Sequence, residues 1–340
     1  MKAFGPRRWL ARHLPVPMLL TLAVFASLPF WIREVGLYEY LALEVLIWCL
    51  YAMAYNLTIG YVGLPSFGHG AYFGIGGYAF GLTQFHVYPN LWLCLAASIL
   101  VAGVAGAFVA SFISHRRGIY FALLTIAFGE MFYFIATKWY AVTGGEDGLL
   151  NIRRLPVELG VASFGLKSNI DIYYFTLGVF AVVLWLLWRI VHSPFGNAIQ
   201  AVRQNDLRAA FLGYNVWLLK WLTFVVSTAL SGLAGGLFAM AQQSAYVQVM
   251  TLQWSGIVVL MTLIGGGLIS FWGPILGTVL FFVARDLLGA VTETWLFWYG
   301  LMFMALIMFK PEGLAGMLKD LGTRLRLERS PAGRRGDGLV

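Results

Sequence analysis

Ionisable side chains are rare along this sequence, and several fall where lipid-soluble residues surround them on both sides. Glu44, His69, Glu130, Arg285, Asp286 and Glu293 are the cases that need a reason. Placing such a group inside a bilayer costs about 2.5–3.5 kcal/mol on insertion scales, so it turns to a bundle interior or to water. Glu130 lies deepest in an apolar run and follows Thr125 and Gly129; His69 follows Ser66 by three residues. These types can hydrogen-bond a polar solute as it crosses a membrane. Ser66, His69, Thr125, Gly129 and Glu130 are therefore the candidate pathway residues. For Glu130 a path role and an interhelical hydrogen bond that fixes packing weigh equally. His69, with no carboxylate or cysteine beside it, reads more readily as a hydrogen-bonded packing residue.

Bond-making chemistry finds no foothold. The sequence lacks a Gly-rich loop followed by Lys-Ser/Thr, an HExxH, a GxSxG and an acidic DxDxDG loop. ATP phosphates are not cradled by this chain in the P-loop manner, and no cofactor is expected. Cys49 and Cys94 sit inside apolar runs without Cys or His company, so they read as small buried hydrophobes, and no metal site is expected.

The elements that must position these residues are helices. Apolar residues make up 60% of the 340 and charged residues 11%, against about 25% charged in soluble domains. The runs are continuous, which disfavours an alternating β-barrel. The chain is thus an all-α, polytopic membrane bundle. Spans are expected near 14–32, 37–58, 66–84, 91–113, 119–138, 172–191, 220–240, 255–271, 274–290 and 295–309, about ten in all, the first an uncleaved helix. Basic residues collect in alternate connections: Lys2, Arg7, Arg8 and Arg12; Arg116 and Arg117; Arg189, Arg203, Arg208 and Lys220; and the tail from Lys310. Basic loops stay in the cytoplasm, which puts both termini there and the loop 141–171 outside. Residues 1–316 read as one transmembrane domain and 317–340 as a basic cytoplasmic tail that favours anionic lipid. The net charge of +8 is accounted for by these span-flanking residues, and nucleic acid is not an expected partner.

Two glycine-rich stretches interrupt the spans. Residues 60–81 carry eight glycines with Pro65, and Gly63-Leu-Pro-Ser-Phe-Gly is echoed by Gly267-Leu-Ile-Ser-Phe-Trp-Gly. Glycines four apart (70/74, 77/81, 232/236, 273/277) let helix backbones approach. A break at membrane depth is tolerated only where protein or a cavity covers the freed backbone, and paired breaks point to a transport path.

The other outlier is the polar island 192–219. Ser193-Pro194 can start one short helix with Ala198, Ile199 and Val202 on one side. Asn205 or Asp206 can cap a second, Gly213 can end it, and Leu207, Ala210 and Phe211 share its face. Two small amphipathic helices beside Arg203 and Arg208 look like a docking handle, where an ordinary solvated loop is the plain alternative.

Four stretches, Asn56–Leu82, Tyr120–Leu149, Ser193–Asn215 and Met261–Val279, with the ending Lys310-Pro311-Glu312-Gly313-Leu314, resemble the branched-chain amino-acid ABC transporter permease family, LivM-type subunit. The resemblance runs from about residue 37 to 316. It implies a permease subunit of an importer in the inner membrane, driven by separate ATPase subunits. It also implies a second, related permease chain and an extracytoplasmic substrate-binding protein. The island becomes the coupling segment seated in an ATPase groove, with Ala201, Arg203, Asp206, Leu207, Ala210 and Gly213 as candidate coupling residues. Gln204 departs from an acidic residue common in relatives, and Leu64-Pro65 from a polar–apolar pair. Urea and short-chain amide permeases share much of the pattern. A carrier driven by an ion gradient shares the broken helices but has less reason to keep a docking handle.

Overall fold

The computed structural model describes residues 16–31, 38–159, 162–166, 168–268, 270–309 and 313–317. The basic N-terminus, Lys310 to Glu312 and the tail from 318 lie outside the described residues. Helices dominate. In order they are α1 (Val16–Trp31), α2 (Glu39–Asn56), α3 (His69–His86), α4 (Leu91–Ile113), α5 (Gly118–Lys138) and α6 (Asn169–Val191). Then come α7 (Pro194–Gln204), α8 (Asp206–Phe211), α9 (Val216–Gln242), α10 (Leu252–Gly265), α11 (Gly273–Val291) and α12 (Trp295–Phe309). Among the described residues, six stretches are long and apolar enough to cross a membrane: Tyr40–Val62, Leu91–Ile113, Gly118–Lys138, Asn169–Val191, Val216–Gln242 and Gly273–Val291. Helices α1, α10 and α12 are apolar but shorter.

Helices α2 and α9 form the centre: α9 packs along α4, α3 and α2, while α2 also meets α6 and α11. Glycine makes this closeness possible. A methyl group added at Gly235 would meet the Phe73 carbonyl oxygen at 1.8 Å, and one at Gly76 the Gly232 oxygen at 2.1 Å. Helices α10 and α11 meet the same way, Gly277 against the Met261 oxygen at 1.8 Å. In lipid, where apolar surface gives no drive to associate, such backbone contact is what holds helices together.

Both interruptions occur where glycine and proline stand. Helix α2 widens into a π-helical segment, Leu57–Val62, which stops at Gly63 in a left-handed conformation (φ +77°). The chain then runs without regular structure through Pro65 to Gly68. Helix α10 ends at Gly266 (φ +83°), and α11 restarts with Pro274 in its first turn. Expected spans 66–84 and 255–271 are thereby shortened at the broken ends. Lys220 was expected at a loop edge; α9 instead begins at Val216, capped by the Asn215 side chain on Leu218 N–H, because Lys220 finds an acid partner inside the fold.

The loop 141–171 is more structured than its turn residues suggest. It carries a helical turn Tyr140–Thr143, a small antiparallel hairpin of β1 (Val157–Leu159) and β2 (Ala162–Phe164), and a bridge from Leu149 to Ala245. Helix α6 starts earlier than its apolar run, since Ser168 and Asp171 form a capping box. The molecule thus has two ends. Gln84 bonds Arg153 and Asn90 bonds Glu158 at the loop end, and α7, α8 and both breaks gather at the other.

Backbone contact at α3–α9 leaves no room for a side chain. Gly235→Ala is expected to lower stability in detergent micelles by about 1–3 kcal/mol through overpacking. Gly178→Ala on α6, which meets nothing within 4 Å, is expected to be neutral; thermal unfolding of both variants checks the contrast.

Candidate functional site

Four of the five expected pathway residues meet at one joint. The segment 63–68 forms no regular structure, and α5 supplies a partner for one of its backbone groups: Thr125 Oγ1 accepts from Phe67 N–H at 3.1 Å and donates to Ala122 O at 2.7 Å. Gly68 lies flat against α5, where an added methyl group would sit 2.0 Å from the Thr125 carbonyl oxygen and where Gly129 approaches in turn. One residue on, His69 opens α3. Its Nδ1 pairs with Ser66 Oγ at 2.8 Å and its Nε2 with Ser227 Oγ at 2.9 Å. Ser227 donates its hydroxyl proton to Ala54 O, so it accepts from the ring, and the imidazole proton sits on Nε2. Tyr55, Tyr72 and Phe224 pack edge-on around the ring. Ser66, His69 and Ser227 are fully buried. The arrangement is a satisfied polar joint between α2, α3 and α9 that fixes the first break.

Glu130 stands apart from that joint. It adjoins Gly129 but points away from the fold and is exposed. Around it on α5, Ile119, Tyr120, Leu123, Met131 and Phe134 are exposed as well. This face is apolar with one carboxylate near its middle.

Three of the other intramembrane charges pair with one another. Arg285 on α11 makes a two-pronged pair with Glu44 on α2 (3.1 and 3.0 Å) and a further bond to Asp286 at 3.1 Å. Glu293 is exposed in the turn after α11.

The polar island folds as its punctuation suggests. Ser193 Oγ accepts from Gly196 N–H at the start of α7, Asn205 caps α8 by accepting from Arg208 N–H, and Gly213 adopts φ +89° beyond α8. Ala198, Ile199 and Val202 are buried, and Ile199 and Val202 join a cluster with Val62, Leu64 and residues of α4. Two side chains then weld the hairpin to the bundle. Asp206 holds Lys220 at 2.5 Å and also pairs with Arg117; Lys220 is only 3% exposed. Arg203 Nη1 donates to Gly60 O and, at 2.8 Å, to Leu268 O.

What remains outward is a hydrophobic knob. Leu207, Phe211 and Leu212 are 61%, 89% and 77% exposed, with Ala210, Arg208 and Gly213 exposed beside them and Ala201 half-buried. Arg203 and Asp206, expected together with these on a docking surface, direct their charged ends into the bundle. Sequence reading missed Ser227, Lys220 and Arg117 as members of these clusters. The Arg116-Arg117 and Lys220 pair of basic loops around one acid was the available signal.

Comparison with known proteins adds to this geometry. The model of the branched-chain amino acid transport system permease component matches residues 37–310. The chain belongs to that family. It is 27% identical to the high-affinity branched-chain amino acid transport system permease protein LivM of Escherichia coli (strain K12), covering 92% of this chain and 76% of that one. It is 23% identical to the probable branched-chain amino acid transport permease protein LivM of Methanocaldococcus jannaschii, over 83% of this chain and 88% of the relative. The guanosine ABC transporter permease NupQ of Bacillus subtilis matches a shorter part, 28% identical over 33% of this chain and 34% of its own. No solved structure matches the chain. The protein is accordingly a multi-pass inner-membrane permease subunit of an ABC importer, and its family works with ATPase and other subunits.

Removing one partner of a buried ion pair strands the other charge. Asp206→Ala is expected to cost up to about 3 kcal/mol at the hairpin. Trypsin cleavage after the exposed Arg208 in inside-out membrane vesicles should quicken in this variant, and Lys220→Met added to it should slow cleavage again.

Proposed function

We propose that this chain is one half of a permease pair that imports branched-chain amino acids, moved by ATPase subunits through the α7–α8 hairpin. The observation that carries the reading is a combination of rigidity and exposure. The hairpin presents Leu207, Phe211 and Leu212 to solvent while Arg203 and Asp206 tie it to the bundle. A knob that a partner grips and that cannot bend transmits force; an ordinary solvated loop would have neither anchor bonded to the bundle.

Orientation follows from charge. Arg117, Arg203, Arg208 and Lys220 all lie at the hairpin end, which the preference for basic cytoplasmic loops places inside. Helices α1–α6 and α9–α12 then cross alternately as ten spans, with α1, α3, α10 and α12 short ones. Both termini, including the basic tail after 317, fall on the cytoplasmic side.

The second permease chain covers the α5 face. Near mid-span an exposed carboxylate facing hydrocarbon costs several kcal/mol, so Glu130 faces a protein-lined, wet path between two permeases. A carboxylate set among aliphatic and aromatic side chains suits a zwitterion with an apolar side chain, its ammonium drawn to Glu130. Ser66, His69, Thr125 and Gly129 serve that path from behind, holding the first break against α5. The substrate itself rests on the relatives' names, and an extracytoplasmic binding protein at the loop end would deliver it.

Uptake of labelled leucine by cells carrying the whole transporter tests both surfaces. Glu130→Gln is expected to reduce uptake about tenfold, the loss of one charged hydrogen bond; unchanged uptake removes Glu130 from the path. Phe211→Asp is expected to abolish uptake with the same amount of protein in the membrane, and full uptake in that variant would contradict the docking role.

A further inference from the structure

Two carbonyl oxygens near the hairpin end have lost the donors that regular helix would give them. In the π-helical segment, Gly60 O should accept from the residue five positions on, which is Pro65 and has no N–H. The neighbouring donor is diverted too, since Leu64 N–H goes to Thr58 O at 2.9 Å. At the second break, Trp272 N–H turns to Ser270 Oγ at 3.3 Å and Gly273 N–H to Ser270 O at 3.2 Å, which leaves Leu268 O without either. Orphaned carbonyls at membrane depth are expensive. Arg203 Nη1 serves both.

The two breaks also touch each other. A methyl group added at Gly60 would stand 2.7 Å from Gly267 O, and the Asn56 side chain, 1% exposed, is wedged between Gly60 and Gly267. One guanidinium on α7 therefore pins a carbonyl from the α2–α3 turn to a carbonyl from the α10–α11 turn. Arg203 is in the last turn of α7, three residues before Asp206, so the hairpin cannot shift as a body without pulling it.

We propose that Arg203 is a positioning latch: with the hairpin at rest its guanidinium holds the two helix breaks shut, and displacement of the hairpin withdraws it and opens them at that end. Opening exposes Gly60 O and Leu268 O to water, which replaces the guanidinium as donor, and makes the buried break accessible from the cytoplasm. The inference rests on reading α7–α8 as the segment the ATPases move.

The test uses the assembled transporter, expressed with its ATPase and permease partners, in inside-out vesicles. Cys49→Ala and Cys94→Ala remove the native thiols, and Val62→Cys, conservative and 3% exposed, places one in the first break. The probe is a charged, membrane-impermeant methanethiosulfonate. With Arg203 present, labelling is expected to be slow at rest and about tenfold faster during ATP hydrolysis. In Arg203→Ala it should be fast with or without nucleotide. Arg203→Lys, which keeps the charge and can reach one carbonyl at a time, should fall between and keeps the test alive should the alanine variant not accumulate. Labelling that stays slow and nucleotide-dependent in both variants overturns the latch. A Phe211→Asp variant separates the two ideas. If it abolishes the nucleotide dependence while Arg203→Ala does not, the latch alone fails; if it leaves the dependence intact, the coupling reading fails.

Discussion

A helix that breaks inside a membrane must find new partners for the backbone groups it frees, and hydrocarbon offers none. Much of the polar architecture of this chain answers that requirement. Gly63 and Pro65 end the first long helix early; Thr125 then takes Phe67 N–H, and Arg203 takes Gly60 O. Gly266 ends the second, and Arg203 again supplies the missing donor, to Leu268 O. The buried Ser66–His69–Ser227–Ala54 chain of hydrogen bonds sits directly beside the first break. It fixes where α3 may restart. Four of the five residues expected along a solute path, all but Glu130, brace the first of these discontinuities.

The glycines answer a complementary demand. Apolar helices in lipid gain little by touching unless their backbones come within van der Waals range. Gly76, Gly232 and Gly235 bring α3 and α9 that close, and Gly265, Gly273 and Gly277 do the same for α10 and α11. Helices in backbone contact move together or not at all, because close-packed interfaces are bistable and deform little. Stiff helix pairs interrupted at their ends leave the breaks as the places where a change of shape meets least resistance.

Much of this could be read from residues, and the part that could not has a common cause. Punctuation was local and legible: Ser193, Asn205 and Gly213 bound α7 and α8, and Gly63-Leu-Pro marked the first break. The apolar runs gave the helices to within a few residues, except where Lys220 and Asp171 were taken for loop residues. Charge at a span end says loop only while the charge is unpaired, and both had partners. Facing was not legible. A helix that is apolar all round gives no periodic sign of which side meets protein and which meets lipid. Glu130 and Thr125 are five residues apart on α5, yet one is exposed and the other buried. Arg203 and Asp206 belonged by sequence to a surface handle, and only the positions of Gly60, Leu268, Lys220 and Arg117 turn them inward. Those partners are distant in sequence, and no local pattern reports them.

The same inward turn decides how force could travel. If Arg203 and Asp206 faced an ATPase, the hairpin would be attached to the bundle only by the apolar contacts of Ala198, Ile199 and Val202, and a push could be lost in slippage. Because both charges bond to the bundle, attachment falls to charged groups and Leu207, Phe211 and Leu212 stay exposed; in the proposed coupling, docking then uses different side chains from attachment. A docking surface made mainly of apolar groups, with the exposed Arg208 beside them, would release without leaving a buried ion pair broken, which suits contacts remade in every cycle. Anchors made of charge-assisted hydrogen bonds in a low-dielectric setting do not let go so readily. The bond that yields first is then the one whose acceptors can be handed to water, and of the two anchors only Arg203 has neutral carbonyls at its far end. Asp206 would leave Lys220 bare.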